Sequence, residues 1–291
     1  MSRVRLKFGS GGAEIGLAHH GISFDDGATW IGVDFGLRPR EVMANPDDSP
    51  DFSFPAPVHS FMRHHLLTHG HLDHVGGLPR LAKTYLERGI TDFWFYMSEV
   101  ALQTAERLLW RQSIYMADHV KHPRPFDYED IKAAKQHVRV VRPGEVLDLG
   151  TCRVMALSAG HIPGALYWIL IPQNGADPVL TSGDISFRQL GAMPPADPVP
   201  EEFKKFSAAV LESTYLGRTI PPRAKELERL AAFAGHILDR KGTLVIPAFS
   251  IGLRGLEVGM YLEGQGLGPV YYDGMLKDAV RLYQDLGFVP R

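Results

Sequence analysis

The stretch Thr68-His69-Gly70-His71-Leu72-Asp73-His74 holds four side chains that can bind a metal ion within six residues. The apolar run His65-Leu66-Leu67-Thr68 that leads into it is typical of the end of a buried strand. Gly76-Gly77-Leu78-Pro79, just after it, opens a helical pattern of apolar residues. The four side chains are therefore predicted to lie on a turn between a strand and a helix.

The spacing of these side chains indicates a metal site. Residues two apart in an extended chain face the same way, so His69 and His71 can converge on one ion. Asp73 and His74, further round the turn, point to a neighbouring position. Imidazole and carboxylate ligands at this spacing suit a catalytic zinc site, in which one coordination position stays open for water. A histidine-rich surface loop explains the aspartate and the two glycines less well.

The bulk composition favours a soluble globular protein. The 291 residues are 45% hydrophobic and 22% charged, enough for one large domain or two small ones. No apolar run is long enough to span a bilayer, and the N-terminus lacks a signal-peptide pattern, so a cytoplasmic protein without membrane contact is expected. The single cysteine, Cys152, excludes an internal disulfide.

The net charge of −2 provides no overall basic surface for nucleic acid. This counts only mildly against a polyanionic substrate, because bound metal ions add local positive charge that a formal count omits.

Three more polar residues stand at predicted strand ends. Asp34 closes the apolar run 29–36, and Asp184 closes the run 179–184. His161 lies in the loop between the predicted strands 152–157 and 166–171. Each could be a simple polar strand cap or turn residue.

Together these residues resemble the signature of the metallo-β-lactamase superfamily of hydrolases. The resemblance implies an α/β fold, an αββα sandwich, with a two-metal site at one edge. The implied ligands of the first zinc ion are His69, His71 and His161. The implied ligands of the second are Asp73 and His74, with Asp184 bridging both. Asp34 matches a position whose carboxylate orients the metal loop, residues 68–74.

A later part of the chain resembles the β-CASP branch of that superfamily. Glu212-Ser213-Thr214-Tyr215 ends an apolar run, and about thirty residues on, after a predicted helix 222–240, comes the predicted strand 243–249 with Ile246-Pro247-Ala248-Phe249. The branch comprises RNA- and DNA-processing nucleases such as the cleavage-and-polyadenylation endonuclease and RNase J. The resemblance implies that Glu212 supports the metal site and that the Ile-Pro-Ala-Phe strand begins an inserted α/β cap. Residues 1–217 are then the core, and residues 218–291 the start of the cap.

The chain departs from the branch in two ways. Family members carry Gly-Arg directly after the Pro-Ala-Phe segment, whereas this chain has Gly252-Leu253-Arg254. The branch also has two later histidines, but the last histidine here is His236, inside a predicted helix. We expect a fragment of a longer protein rather than a reduced member, and a second metal site that is incomplete.

The predicted function is zinc-dependent hydrolysis of phosphodiesters in RNA or single-stranded DNA by a metal-activated water. Asp73, Asp184 and Glu212 are the candidate catalytic residues, with Asp73 orienting the water or accepting its proton. One alternative is a small-molecule hydrolase of the same fold, acting on a thioester, lactone or β-lactam. Another is an inactive scaffold subunit that partners an active nuclease. A homo-oligomer is compatible with the sequence.

Two loops allow competing interpretations. The basic and aromatic run Lys121-His122-Pro123-Arg124-Pro125-Phe126 either contacts a phosphate chain or is simply solvated, and solvation is favoured. The Pro-, Asp- and Ser-rich residues 37–62 either border the substrate site or form a surface excursion.

Overall fold

The structure is a computed structural model, and it describes residues 4–12, 16–39, 52–189 and 193–289. Residues 40–51 of the long loop 37–62 therefore lie outside the described residues. The strands within the described part are β1 (Arg5–Ser10), β2 (His19–Ser23), β3 (Ile31–Val33), β4 (Arg38–Pro39), β5 (Phe52–Ser53), β6 (His64–Leu66), β7 (Trp94–Met97), β8 (Val138–Val140), β9 (Val146–Asp148), β10 (Cys152–Ser158), β11 (Leu166–Pro172), β12 (Val179–Thr181) and β13 (Ala208–Val210). The α-helices are α1 (Leu72–Val75), α2 (Leu78–Glu87), α3 (Glu99–Thr104), α4 (Arg111–His119), α5 (Tyr128–Gln136), α6 (Arg223–Asp239), α7 (Arg254–Gly264) and α8 (Met275–Asp285).

Two sheets form the body of the fold. The first has the strand order β1-β2-β3-β6-β7-β8, antiparallel through β3 and parallel from β3 to β8. The second has the order β13-β12-β11-β10-β9, in which only the β12–β13 pair is parallel. Strands β4 and β5 pair separately as a short ribbon.

The facing sides of the two sheets share one apolar core. Ile22 and Val33 of the first sheet belong to the same buried cluster as Val154, Trp168 and Leu170 of the second. Along β10 the residues alternate between this cluster and the outer face, as expected for a strand between two layers. The αββα prediction is confirmed.

A helical layer covers the outer face of the first sheet. In α2 the buried residues Leu78, Leu81, Ala82 and Tyr85 follow the helical spacing that the sequence indicates, and they pack in one cluster with Phe95 of β7. The helical pattern that opens at Gly76 predicts a helix over residues 76–89. This helix is present as α2, shortened at both ends and preceded by the single turn α1.

The apolar spacing after Ser98 predicts a single helix that extends to about Val120, but the structure interrupts this helix. Ser98 caps it as expected, since its Oγ accepts a hydrogen bond from the Ala101 N–H at 3.1 Å. Between α3 and α4, residues Ala105–Trp110 form a π-helical segment. The extra residue of such a segment changes which side chains face the core after it.

The prediction of a strand over residues 243–249 is wrong. This stretch has no strand pairing in the described part of the chain, and its side chains are largely exposed, Val245 at 80% and Phe249 at 79%. Its β-branched residues favour extended backbone, but a strand also needs a neighbour to receive its hydrogen bonds.

The residues after this stretch pack onto the main core. Ile251, Leu253 and Tyr283 are buried in the same cluster as the helices of the first layer. The division at residue 217 remains a prediction. In the described part of the chain, no helix is both long enough and apolar enough to cross a bilayer.

Candidate metal centre

Both sheets bring side chains that can bind a metal ion to one edge of the sandwich. His69 and His71 follow β6 of the first sheet, while His161 follows β10 and Asp184 follows β12 of the second. A close contact of backbones shapes this edge: a side chain at Gly36 would clash with the carbonyl group of Asp73. The strand ends and the glycine together fix the direction of the metal loop.

Three histidines and one aspartate converge there. The Nδ1 atom of His71 lies 2.9 Å from Nε2 of His69 and 3.4 Å from Nε2 of His161. Oδ2 of Asp184 lies 3.4 Å from Nε2 of His161 and 3.8 Å from Nε2 of His69. One ligand atom from each of the four residues falls within 4.8 Å of the others. Three nitrogens and one carboxylate oxygen make a donor set that suits zinc.

Burial lowers the pKa values of the three histidines, which keeps their imidazoles uncharged and able to bind a metal ion. Desolvation lowers the pKa of His69 well below its ordinary value, and it also lowers the pKa of His71. For His161, burial lowers the pKa to about 4, while Asp184 opposes this shift. At neutral pH these imidazoles are uncharged, which is the form that coordinates a metal.

Asp73 and His74 lie beside this group. Nε2 of His74 is 3.7 Å from Oδ2 of Asp73 and 3.6 Å from Oδ1 of Asp184. The two oxygens of Asp184 therefore face different sides, one toward the three histidines and one toward His74. The arrangement matches the predicted ligand sets, whose roles remain predictions.

Asp34 forms hydrogen bonds with two residues of the metal loop. Its carboxylate accepts hydrogen bonds from the backbone N–H of Thr68 at 2.8 Å and from the Thr68 hydroxyl, and it lies 2.7 Å from Nδ1 of His74. Burial opposes charging of His74, but the attraction of Asp34 outweighs it and raises the pKa of His74 to about 10. Thr68 also lies 3.0 Å from Nδ1 of His69. The predicted orienting position of Asp34 agrees with these contacts.

Glu212 lies outside the convergent group. Its backbone N–H donates to Oγ of Ser182 at 3.1 Å, and its carboxylate accepts from the Thr214 N–H at 3.0 Å. These bonds tie the end of β13 to the segment that carries Asp184. Its support of the metal site remains a prediction.

Sequence reasoning did not place residues 251–254 at the metal centre. The backbone of Ile251 lies close enough to His71 to oppose the lowering of its pKa by burial. The positive charge of Arg254 is a further cause, after burial and His71, of the lowered pKa of His161. The one available signal was the displaced arginine in Gly252-Leu253-Arg254.

Residues 122–125 of the basic and aromatic run line a surface cavity of about 210 Å³ together with Phe52, Phe54 and Arg80. Arg124 within it is bound to Asp118 and Asp127. Its charge is thus neutralised by neighbours, in keeping with the favoured interpretation of a solvated loop.

Known proteins resemble this chain over most of its length. RNase aCSPSF2 of Saccharolobus solfataricus is 26% identical over 97% of this chain and 53% of its own length. Transcription termination factor FttA of Methanothermobacter thermautotrophicus is 30% identical over 74% of this chain and 34% of its own. Ribonuclease TTHA0252 of Thermus thermophilus is 29% identical over 74% of this chain and 47% of its own. The chain matches no established family profile.

The sandwich, the metal loop and these relatives agree with one another. The chain belongs to the β-CASP branch of the metallo-β-lactamase superfamily. It spans about half the length, or less, of the curated β-CASP relatives given above.

Proposed function

We propose that this protein is a metal-dependent ribonuclease that hydrolyses phosphodiester bonds in RNA. The observation that carries the proposal is the group of His69, His71, His161 and Asp184, whose ligand atoms converge with the imidazoles uncharged. Relatives named as ribonucleases support RNA as the substrate.

Two zinc ions are the proposed cofactors. His69, His71 and His161 would hold one, Asp73 and His74 the other, and Asp184 both. Bound divalent ions supply Lewis acidity, which stabilises phosphoryl charge and lowers the pKa of a water. Asp34 accepts a hydrogen bond from Nδ1 of His74, which leaves Nε2 to bind the second ion. A proton on Nε2 competes with that ion, so the ion should bind more weakly at low pH.

The protein's own groups have distinct tasks in this proposal. Asp34 contacts Nδ1 of His74, and Thr68 contacts Nδ1 of His69. These contacts orient both rings and leave their Nε2 atoms to face the metal site. Asp73 is 35% exposed and 3.7 Å from His74, which leaves its carboxylate free to orient a water and accept its proton. Glu212 would hold the Asp184 segment through Ser182.

The proposal is tested on purified protein with labelled single-stranded RNA and single-stranded DNA, with zinc content measured by mass spectrometry. We expect about two zinc ions per chain and cleavage of RNA that a chelator abolishes. The variants His69→Ala and Asp184→Ala should lose activity by roughly 100-fold or more, because each removes a metal ligand.

His59→Ala is the matched control, since His59 is an exposed histidine outside the metal loop. It should retain wild-type activity. Full activity in either ligand variant would overturn the proposal. Cleavage of DNA alone would correct the substrate, and zinc-loaded protein without any cleavage would favour the scaffold alternative.

A further inference from the structure

Arg254 is an exposed cation close to the loop that carries His161. It is the first residue of α7 and has no carboxylate within ion-pair distance among the residues that the structure describes. Arg223, by contrast, pairs with Glu257 on the same helix. An unpaired arginine next to a site for divalent cations would add to the positive charge of the ions bound there. A bound anion would offset the repulsion between these positive charges.

The loop before Arg254 is pressed against the loop that carries His161. Gly252 has a φ of +99°, and a Cβ atom built on it would lie 2.9 Å from Cγ2 of Ile162, the neighbour of His161. A side chain at position 252 would therefore be strained and would push the two loops apart. Glycine allows the close approach that brings the start of α7 to the loop of His161.

A buried tyrosine holds this loop in place. The Gly252 N–H donates to the hydroxyl of Tyr283 at 2.9 Å, and Tyr283 is only 1% exposed. Ile251 and Leu253, on either side of the glycine, are buried in the main core. Because residues 251, 252 and 253 are each held in this way, the backbone that leads into Arg254 has little conformational freedom. The start of α7, which carries Arg254, is thereby held against the loop that carries His161.

We propose that Arg254 binds a phosphate of the RNA backbone beside the scissile bond, and that Tyr283 positions it by holding Gly252. The proposal rests on the proposed ribonuclease function for its substrate. A guanidinium group offers two parallel N–H donors to phosphate oxygens, which a point charge such as lysine does not. Tyr283 is a positioning residue, and Arg254 is the group that touches the substrate.

The first experiment compares Arg254→Ala and Arg254→Lys with wild type in cleavage of RNA. Loss of one charge-assisted contact should raise KM by about tenfold or more in the alanine variant, with kcat changed far less. Lysine should restore part of the loss. Arg281→Ala is the matched control, because Arg281 is an exposed arginine on α8 that already pairs with Asp278.

The second measurement is the Kd for a cleavage-resistant single-stranded RNA at several salt concentrations. A single contact to a single-stranded phosphate contributes about 0.7 to the slope of log Kd against log salt. Arg254→Ala should lower the slope by about that amount, and Tyr283→Phe by less. Adding Tyr283→Phe to Arg254→Ala should change Kd little further, because both act through the same contact.

The outcomes separate this proposal from the proposed function. A wild-type Kd and salt slope in Arg254→Ala, or no RNA binding by wild type, would overturn the role of Arg254. Weakened RNA binding in Arg254→Ala supports it even if wild type does not cleave, a result that would count against the ribonuclease function alone. An equal loss in Arg281→Ala would reduce the effect to overall charge and overturn the proposal.

Discussion

Asp34 serves three donors of the metal loop with one carboxylate. It is 2% exposed, and its backbone has a φ of +54°, a left-handed conformation that costs a non-glycine residue energy. Thr68 and His74 are six residues apart in the sequence, and both reach this carboxylate. The strained backbone and the buried charge make Asp34 the residue that most directly fixes the metal loop.

We predict that Asp34→Asn weakens zinc binding by roughly 10- to 100-fold, chiefly at the site that includes His74. Asparagine keeps the shape and tolerates the left-handed backbone, but it lacks the charge that stabilises the ring of His74. Competition with a chromophoric chelator measures the affinity, and circular dichroism checks the fold. Asp92→Asn is the control, because Asp92 is an exposed acid paired with Arg63. Unchanged zinc affinity in Asp34→Asn would contradict this role.

Local spacing made part of the site predictable. His69 and His71 lie on one turn, so two-residue periodicity alone brings them together. His161 and Asp184 were predictable only as strand-end residues in the context of the resemblance, because strand pairing decides which ends meet. Arg254 was not predicted, because its approach depends on a glycine contact between segments 90 residues apart in the sequence.

At the scale of elements, the π-helical segment joins the helical layer to the metal loop. Trp110, its last residue, is fully buried and donates its indole N–H to the carbonyl oxygen of Val75 at 3.0 Å. Val75 ends α1, the turn that carries Asp73 and His74. The helical periodicity of residues 98–120 predicts a regular α-helix. It cannot reveal the extra residue of the π-helical segment, because the hydrogen bond between Trp110 and Val75 joins residues far apart in the sequence.

Trp110→Phe should destabilise the protein by about 1–3 kcal/mol, because it leaves a buried carbonyl without a partner and removes packed volume. Urea unfolding followed by circular dichroism measures the loss. Trp94→Phe provides the comparison, since Trp94 is 38% exposed on β7 and should cost much less. Equal losses in the two variants would mean that the indole hydrogen bond contributes nothing measurable.

The stretch 243–249 shows that a local sequence pattern alone does not establish a strand. Val245 and Ile246 have the composition of a strand, yet Val245 is 80% exposed and lacks a paired neighbour in the described structure. Strand propensity reflects packing on a pleated surface more than a backbone preference. The pattern therefore predicts what the residues would do in a sheet, and not whether a sheet is present.

Across the whole molecule, the metal centre spans the two sheets. His69 and His71 extend from the first sheet, and His161 and Asp184 from the second. The apolar core also joins the sheets, as do hydrogen bonds such as the one that Trp168 donates to the carbonyl oxygen of Leu67. An ion bound by all four would add a link between the layers that the unfolded chain cannot form. Binding to the native state alone stabilises it by about 2.7 kcal/mol when the ligand is at 100 times its Kd.

We therefore predict that zinc raises the Tm of the wild-type protein by several degrees and that a chelator reverses the shift. His161→Ala should reduce the shift strongly, because the second sheet then contributes only Asp184 to the ion. Scanning calorimetry over a zinc titration measures both, with His236→Ala as the control, since His236 is an exposed histidine on α6. If zinc raised the Tm of His161→Ala as much as that of wild type, the stabilisation would come from zinc bound elsewhere, and the metal centre would not join the sheets.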